Sequence, residues 1–363
     1  MTNDELLSKT ISYLRFPLVV GVVFIHNDMF SINIQGQTIN YAHCFWLNWI
    51  ICFFSSALPV VSVPLFYLIS GFLFFYYSDF NRSVFTNKIH RRQSTLLIPY
   101  LFFNFVGFLI FLVQMLPSLQ DFFPLLKNYR VDITTFLSSF WTTNIPKEMA
   151  GGLTPIDHPL WFLRDLMIAC LATPVIWYLI KRLGWGFIFM VGCFWFFDIG
   201  EHWGLPGKDH QPFFFFSLGA YFGIKKINFV QLASSQKWSI TAYLTAAILS
   251  TFTQSVLCDL FHKLIVMFGI IGLPCLMSLL IKNNRLKIPV TLSNSTFFIY
   301  ALHALFMSKY MKILVMVIQP QSPVLVACLY FFVPISTILI CLGLYLLLKK
   351  TTPKFAKVIT GER

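Results

Sequence analysis

The chain has 363 residues, of which 57% are hydrophobic and 11% charged, with a mean hydropathy of +0.72. A soluble protein of this length carries about 25% charged residues, so a water-soluble globular enzyme is excluded. The 42 phenylalanines and the lack of any short repeat exclude a disordered or fibrous chain. The net charge of +13 sits in short clusters between apolar runs, which is the pattern of a cytoplasmic membrane face and not of a nucleic-acid partner.

A membrane-crossing helix needs about 20 mainly apolar residues. That window predicts an all-α, polytopic membrane protein in one domain, 1–363, with ten spans. They lie near 11–29, 45–77, 94–116, 159–180, 185–200, 212–224, 238–257, 264–281, 294–315 and 323–348. Asp4 and Glu5 precede Lys9, unlike the basic start of a signal peptide, so the first segment reads as a retained span. Pro59 and Pro64 predict a kink in the second, because proline removes a backbone donor. The fifth and sixth are short, and one reads as a re-entrant candidate. Lys and Arg concentrate in alternate loops and in the basic tail 349–363, which predicts cytoplasmic N- and C-termini. The outer side has one long insertion, 117–158, holding Lys127, Arg130 and Lys147. Its stretch Ile133–Trp141 has the composition of an interfacial helix. The eight cysteines show neither metal-ligand nor paired spacing, so no metal site is expected.

Ionisable groups inside spans mark candidate chemistry, because each costs several kcal/mol at the bilayer centre unless it faces protein or water. Arg15 and His26 are eleven residues apart in the first span. At ~100° per residue they share a helix face, separated by ~16 Å of rise. Either they line a polar path, or each reaches a headgroup layer. Lys88, His90, Arg91 and Arg92 begin the third span. They read as positive-inside anchors or as an anion site for phosphates, and Pro99 beyond them predicts a bend. In DHPLWFLRDLM, which holds Asp157, His158 and Trp161, the adjacent Arg164 and Asp165 should point in different directions. Each is expected to find a partner on another helix, with membrane anchoring as the plainer reading. Tyr300 and His303 share one face of the ninth span, either completing a cavity or bonding a neighbouring helix. Asp198, Glu201 and His202 near the outer end of the fifth span are further polar candidates, with a solvated loop edge as the plainer reading. Ser70 and Gly71 in PLFYLISGFLFF predict close helix packing.

Five fragments in this order resemble the acyltransferase-3 family of integral membrane acyltransferases: Arg15 with His26, PLFYLISGFLFF, the basic pair leading into TLLIPYL, PLWFLRDLM, and the late IYALH. The resemblance spans nearly the whole chain. It implies transfer of an acyl group, commonly acetyl from acetyl-CoA, to a hydroxyl of a carbohydrate or other surface molecule at the cytoplasmic (inner) membrane. It implies that Arg15 and His26 are essential, and that Arg91 and Arg92, with Lys88 beside them, contact the CoA donor. Thr95 stands where the family often has a second Arg. Trp161, Arg164, Asp165, Tyr300, His303 and Ser70 are the cavity candidates. An imidazole suits this chemistry either as a general base for the hydroxyl or as a covalent acyl carrier. The rival reading is a transporter or flippase of a lipid-linked sugar, with Arg and His binding cargo or protons.

Overall fold

A computed structural model describes residues 1–27, 29, 31–34, 37–40, 44–119, 123, 126, 129–143, 154–199, 210–253 and 256–361. The chain divides into two compact units, Met1–Tyr77 with Phe215–Leu344, and Ser78–Phe214 with Tyr345–Arg363. All ten apolar segments are helical. Six are long and apolar enough to cross a membrane: α1 (Asn3–Ile25), α2 (Phe45–Phe75), α3 (Arg82–Gln114), α11 (Val256–Lys282), α12 (Val290–Ile318) and α13 (Pro323–Thr351). Helix α4 (Ile133–Ser138) lies in the long insertion. Helices α5 (Trp161–Leu171) and α6 (Thr173–Leu183) are bent by 60° at their junction and make a seventh if taken as one broken span. Pro174 at the start of α6 accounts for the break, since its ring excludes the preceding carbonyl.

Three segments are shorter than a crossing requires. They are α7 (Trp185–Phe196), α8 (Gln211–Ile224) and α10 (Trp238–Ser250), with α9 (Phe229–Ser234) between the last two. At 1.5 Å per residue they reach only about 18–21 Å. The seventh segment, expected to run to 257, stops at Ser250. There the Ser250 and Thr251 hydroxyls donate back to Ala247 O (2.8 Å) and Ile248 O (2.6 Å), competing with helix continuation. The all-α class holds, with one short pair of strands beside the helices. Strands β1 (Ser31–Ile34) and β2 (Gln37–Asn40) pair antiparallel, with Ile32 opposite Ile39. SINIQGQTIN alternates apolar and polar residues about a glycine, which is hairpin patterning.

In the first unit α1 packs against α11 and α12, and its N-cap Thr2 accepts from Glu5 N at 3.2 Å. The Ser12 and Ser293 hydroxyls meet at 2.9 Å, joining α1 to α12. The kink expected in α2 takes the form of a helical-pitch change. A π turn (Cys52–Ala57) runs into a 3₁₀ turn (Leu58–Val61) around Pro59, which has no N–H to give the ordinary ladder. Further along α2, Gly71 faces the Phe216 carbonyl and Gly219 of α8 faces the Leu68 carbonyl, with no room for a Cβ at either place. The close packing expected at Gly71 is therefore a backbone-on-backbone crossing of α2 and α8.

The second unit is organised on α3. A π turn (Gln93–Leu97) separates the basic helix start from Pro99, so the bend expected at Pro99 is likewise a change of pitch. Helix α14 (Pro353–Thr360) folds the basic tail back onto α3, burying Ala356, Ile359 and Thr360 and setting Phe355 edge-on to Phe102 at 5.5 Å. Within the insertion, Leu126, Phe136 and Ile156 pack on Phe108 and Phe111 of α3. Of the stretch 133–141, helix α4 covers Ile133–Ser138, with Asp132 as its N-cap.

Candidate functional site

His26 terminates α1 as its C-cap residue, at φ −87° and ψ 6° in the sparsely populated bridge region where many active-site residues sit. Its ring lies 5.3 Å from that of His303, which is fully buried in α12. The first unit therefore joins two imidazoles separated by most of the sequence. His303 Nδ1 lies 2.7 Å from Tyr300 O and 3.2 Å from Ile299 O. A carbonyl can only accept, so Nδ1 carries the proton and donates it, which makes Nε2 the basic nitrogen of neutral His303. The Tyr300 ring is 6.3 Å from that of His303. Tyr300 and His303 thus share a buried face, as their spacing of three implied.

A polar knot holds the end of α1 beside His26. The Ser55 hydroxyl, in the π turn of α2, donates to Phe24 O at 2.7 Å and lies 2.7 Å from the Tyr330 hydroxyl of α13. Asn27 is fully buried, and its Nδ2 donates to Tyr330 O at 2.8 Å, while its Oδ1 has no hydrogen-bond partner. Three helices are thereby tied together at the residue after His26. Asn27, Ser55 and Tyr330 escaped the sequence reading. Polar Asn27 and Ser55 within apolar runs were the available signal, but their convergence depends on helices far apart in sequence. Arg15 is exposed on α1, and Ser70 is half-buried beside Gly71.

The second unit holds the other candidates. Arg164 and Asp165, adjacent in sequence, pair with each other, Nε to Oδ1 at 2.9 Å, with both side chains buried. The arginine stem is long enough to carry its guanidinium across the ~100° between adjacent helical positions. Arg164 also donates to Trp141 O at 2.8 Å and stacks its guanidinium 5.4 Å from the Trp141 ring. The ion pair therefore anchors the insertion to α5. Nearby on α3, buried Asn104 accepts from Asp157 N at 3.2 Å, and the Tyr100 hydroxyl donates to Phe140 O. Tyr100 also lies in the field of Arg164, Asp165 and Asp157. Trp161 is half-buried at the start of α5.

At the basic start of α3, Arg91 is exposed and Arg92 half-buried, and Lys88 Nζ donates to Ser78 Oγ at 2.7 Å. Thr95 donates its hydroxyl to Arg91 O at 3.0 Å. His158 Nδ1 and Thr154 Oγ1 are 3.0 Å apart. Glu201, His202, Lys127 and Lys147 lie outside the described residues, and Asp198 lies in the turn after α7 with φ 51°. Among the described residues no cluster of three His, Cys, Asp or Glu side chains could hold a metal ion.

These features define a multi-pass helical membrane protein with a half-buried imidazole at the end of its first helix set against a fully buried one. A family model described as an acyltransferase domain matches residues 9–346, and the chain belongs to that family, the acyltransferase-3 family its motifs resemble. It is also similar to a succinoglycan biosynthesis protein, ExoH, of Rhizobium meliloti (strain 1021). The two are 27% identical over 184 residues, 49% of this chain and 45% of that protein, so the match spans under half the relative's length. No solved structure matches.

Proposed function

We propose that this protein transfers an acyl group, acetyl from acetyl-CoA, to a hydroxyl of a cell-surface carbohydrate. The observation that carries this reading is the His26–His303 pair in a chain of the acyltransferase family. His26 takes the hydroxyl proton as the oxygen attacks the thioester carbonyl. The C–S bond breaks, and the imidazolium returns the proton to the departing CoA thiolate. His26 sits at the C-terminal, negative end of the α1 dipole, which favours that imidazolium while it lasts. Neutral His303, with its proton held on Nδ1, presents a second basic ring beside it. The covalent acyl-imidazole route uses the same residues and differs in the atom that first meets the carbonyl.

Arg91, Arg92 and Lys88 are assigned to the donor's phosphates, which match their charge. Arg15 is assigned to attracting the donor or ordering the path, since ~16 Å of helix separates it from His26. The relative's role in succinoglycan biosynthesis supports a carbohydrate acceptor. The reading keeps both termini cytoplasmic in the inner membrane, so that CoA approaches from the cytoplasm and the acceptor from outside; ten spans require the short helices α7, α8 and α10 to cross as well.

The test uses purified protein with acetyl-CoA and an isolated surface polysaccharide, following release of the free CoA thiol. His26→Ala should slow release by about 10²–10⁴-fold at equal expression and folding. Wild-type turnover in His26→Ala would refute the assignment. A wild type that binds polysaccharide without consuming thioester would refute the activity.

A further inference from the structure

The last carbonyls of a helix have no partner inside it, so its end frays unless another element bonds it. Helix α1 carries no basic residue in its last turn, and Asn27 stands where a closing glycine would. Beyond the bond from Asn27 N to Phe24 O at 3.1 Å, the tie comes from other helices. The Ser55 hydroxyl donates to Phe24 O at 2.7 Å. Ser55 has one proton and spends it there, so at their 2.7 Å contact the Tyr330 hydroxyl donates to Ser55 Oγ. The protons therefore run one way, from Tyr330 of α13 through Ser55 of α2 to the α1 backbone. Asn27 Nδ2 closes the loop on Tyr330 O at 2.8 Å. His26 lies between two anchored residues, Phe24 and Asn27, with its ring 5.3 Å from that of His303. Ser55, Asn27 and Tyr330 are all buried. Apolar groups of the same shape would hold the helices about as well, since a buried hydrogen bond adds little net stability. Stability alone does not call for this chain of hydroxyls. Ser55 also sits in the π turn Cys52–Ala57, and such turns recur at functional sites.

We propose that Ser55 and Tyr330 are positioning residues for His26, setting the place and angle of its ring for proton transfer. Ser55 acts directly on the α1 backbone, and Tyr330 acts through Ser55, so the two do not contribute independently. A catalytic group misplaced by about 1 Å can lose about 10²-fold in rate, which is the scale at stake when the end of α1 is released from α2. The inference rests on the proposed role of His26 as the base.

The samples are full-length wild type, Ser55→Ala, Tyr330→Phe and the double variant, each also made in a His26→Ala background. Release of CoA from acetyl-CoA is followed with isolated surface polysaccharide, at a temperature where every sample stays monodisperse. Ser55→Ala should lower kcat about 10–100-fold, with KM for acetyl-CoA within about threefold of wild type. Tyr330→Phe should lower kcat less, since Ser55 keeps its bond to Phe24 O, and the double variant should match Ser55→Ala. Adding Ser55→Ala to His26→Ala should leave the residual turnover unchanged, because no base remains to be positioned. Wild-type kcat in Ser55→Ala, or a rise in KM alone, overturns the positioning role and leaves the base assignment standing. An equal fractional loss with and without His26 also overturns it, because the hydroxyls would then serve only the fold. Losses that multiply in the double variant overturn the part given to Tyr330. Wild-type turnover in His26→Ala overturns the base assignment and this inference together.

Discussion

Gly219→Ala is the sharpest structural perturbation available. The added Cβ would overlap the Leu68 carbonyl oxygen and come within 2.8 Å of Leu68 C and Phe72 N. All three are backbone atoms, so no side-chain rotation relieves the clash, and α2 and α8 must separate by about 1 Å or more. Alanine should gain up to about 1 kcal/mol in helix propensity over glycine. Overpacking costs about 1–3 kcal/mol and falls at the high end when backbone must move. Gly71 and Gly223 share the same crossing, with a Gly223 Cβ 2.7 Å from Phe72 O, so separation there loosens the whole seam. The expected net loss is about 2 kcal/mol. Gly343 on α13 provides the control, since nothing lies within 4 Å of its added Cβ. Gly343→Ala should be neutral or stabilising by up to about 1 kcal/mol. The assay is the temperature at which half the detergent-purified protein stays monodisperse after heating. Gly219→Ala as heat-resistant as Gly343→Ala would refute the crossing.

Asp165→Asn should cost about 3–5 kcal/mol by leaving Arg164 charged and buried, whereas Arg164→Met/Asp165→Leu should cost less than the single change in the same heating assay. Tyr330→Phe should lose about 1 kcal/mol with its bond to Ser55, and Ser55→Ala should lose more because it strands the Tyr330 hydroxyl and frees Phe24 O. Asp132 accepts from the Thr135 amide and from the Thr134 and Thr135 hydroxyls, which hold its carboxyl at about 2. A depressed carboxyl stabilises above its unfolded value near 4 and loses that contribution as pH falls through 2. Carbon-13 NMR of labelled aspartate should place this titration near 2, and Thr135→Ala should raise it.

The membrane class and the position of every apolar helix were legible in the sequence, because lipid demands long apolar runs with internally bonded backbone and composition records that demand directly. Proline positions likewise announced where α2 and α3 would depart from regular pitch, though not that both would answer with a π turn. Single residues out of place, such as His26 and His303, could be read as exceptional from burial cost alone. The paired strands 31–34 and 37–40 follow a period of two in apolar and polar residues, which a helical window averages away. Tertiary structure decided the pairings. The Arg164–Asp165 bond depends on how far an arginine stem can swing. The His26–His303 contact and the Ser55–Tyr330–Asn27 knot depend on which helices of the first unit become neighbours. Sequence periodicity states which face of a helix a residue occupies; only packing determines what that face meets.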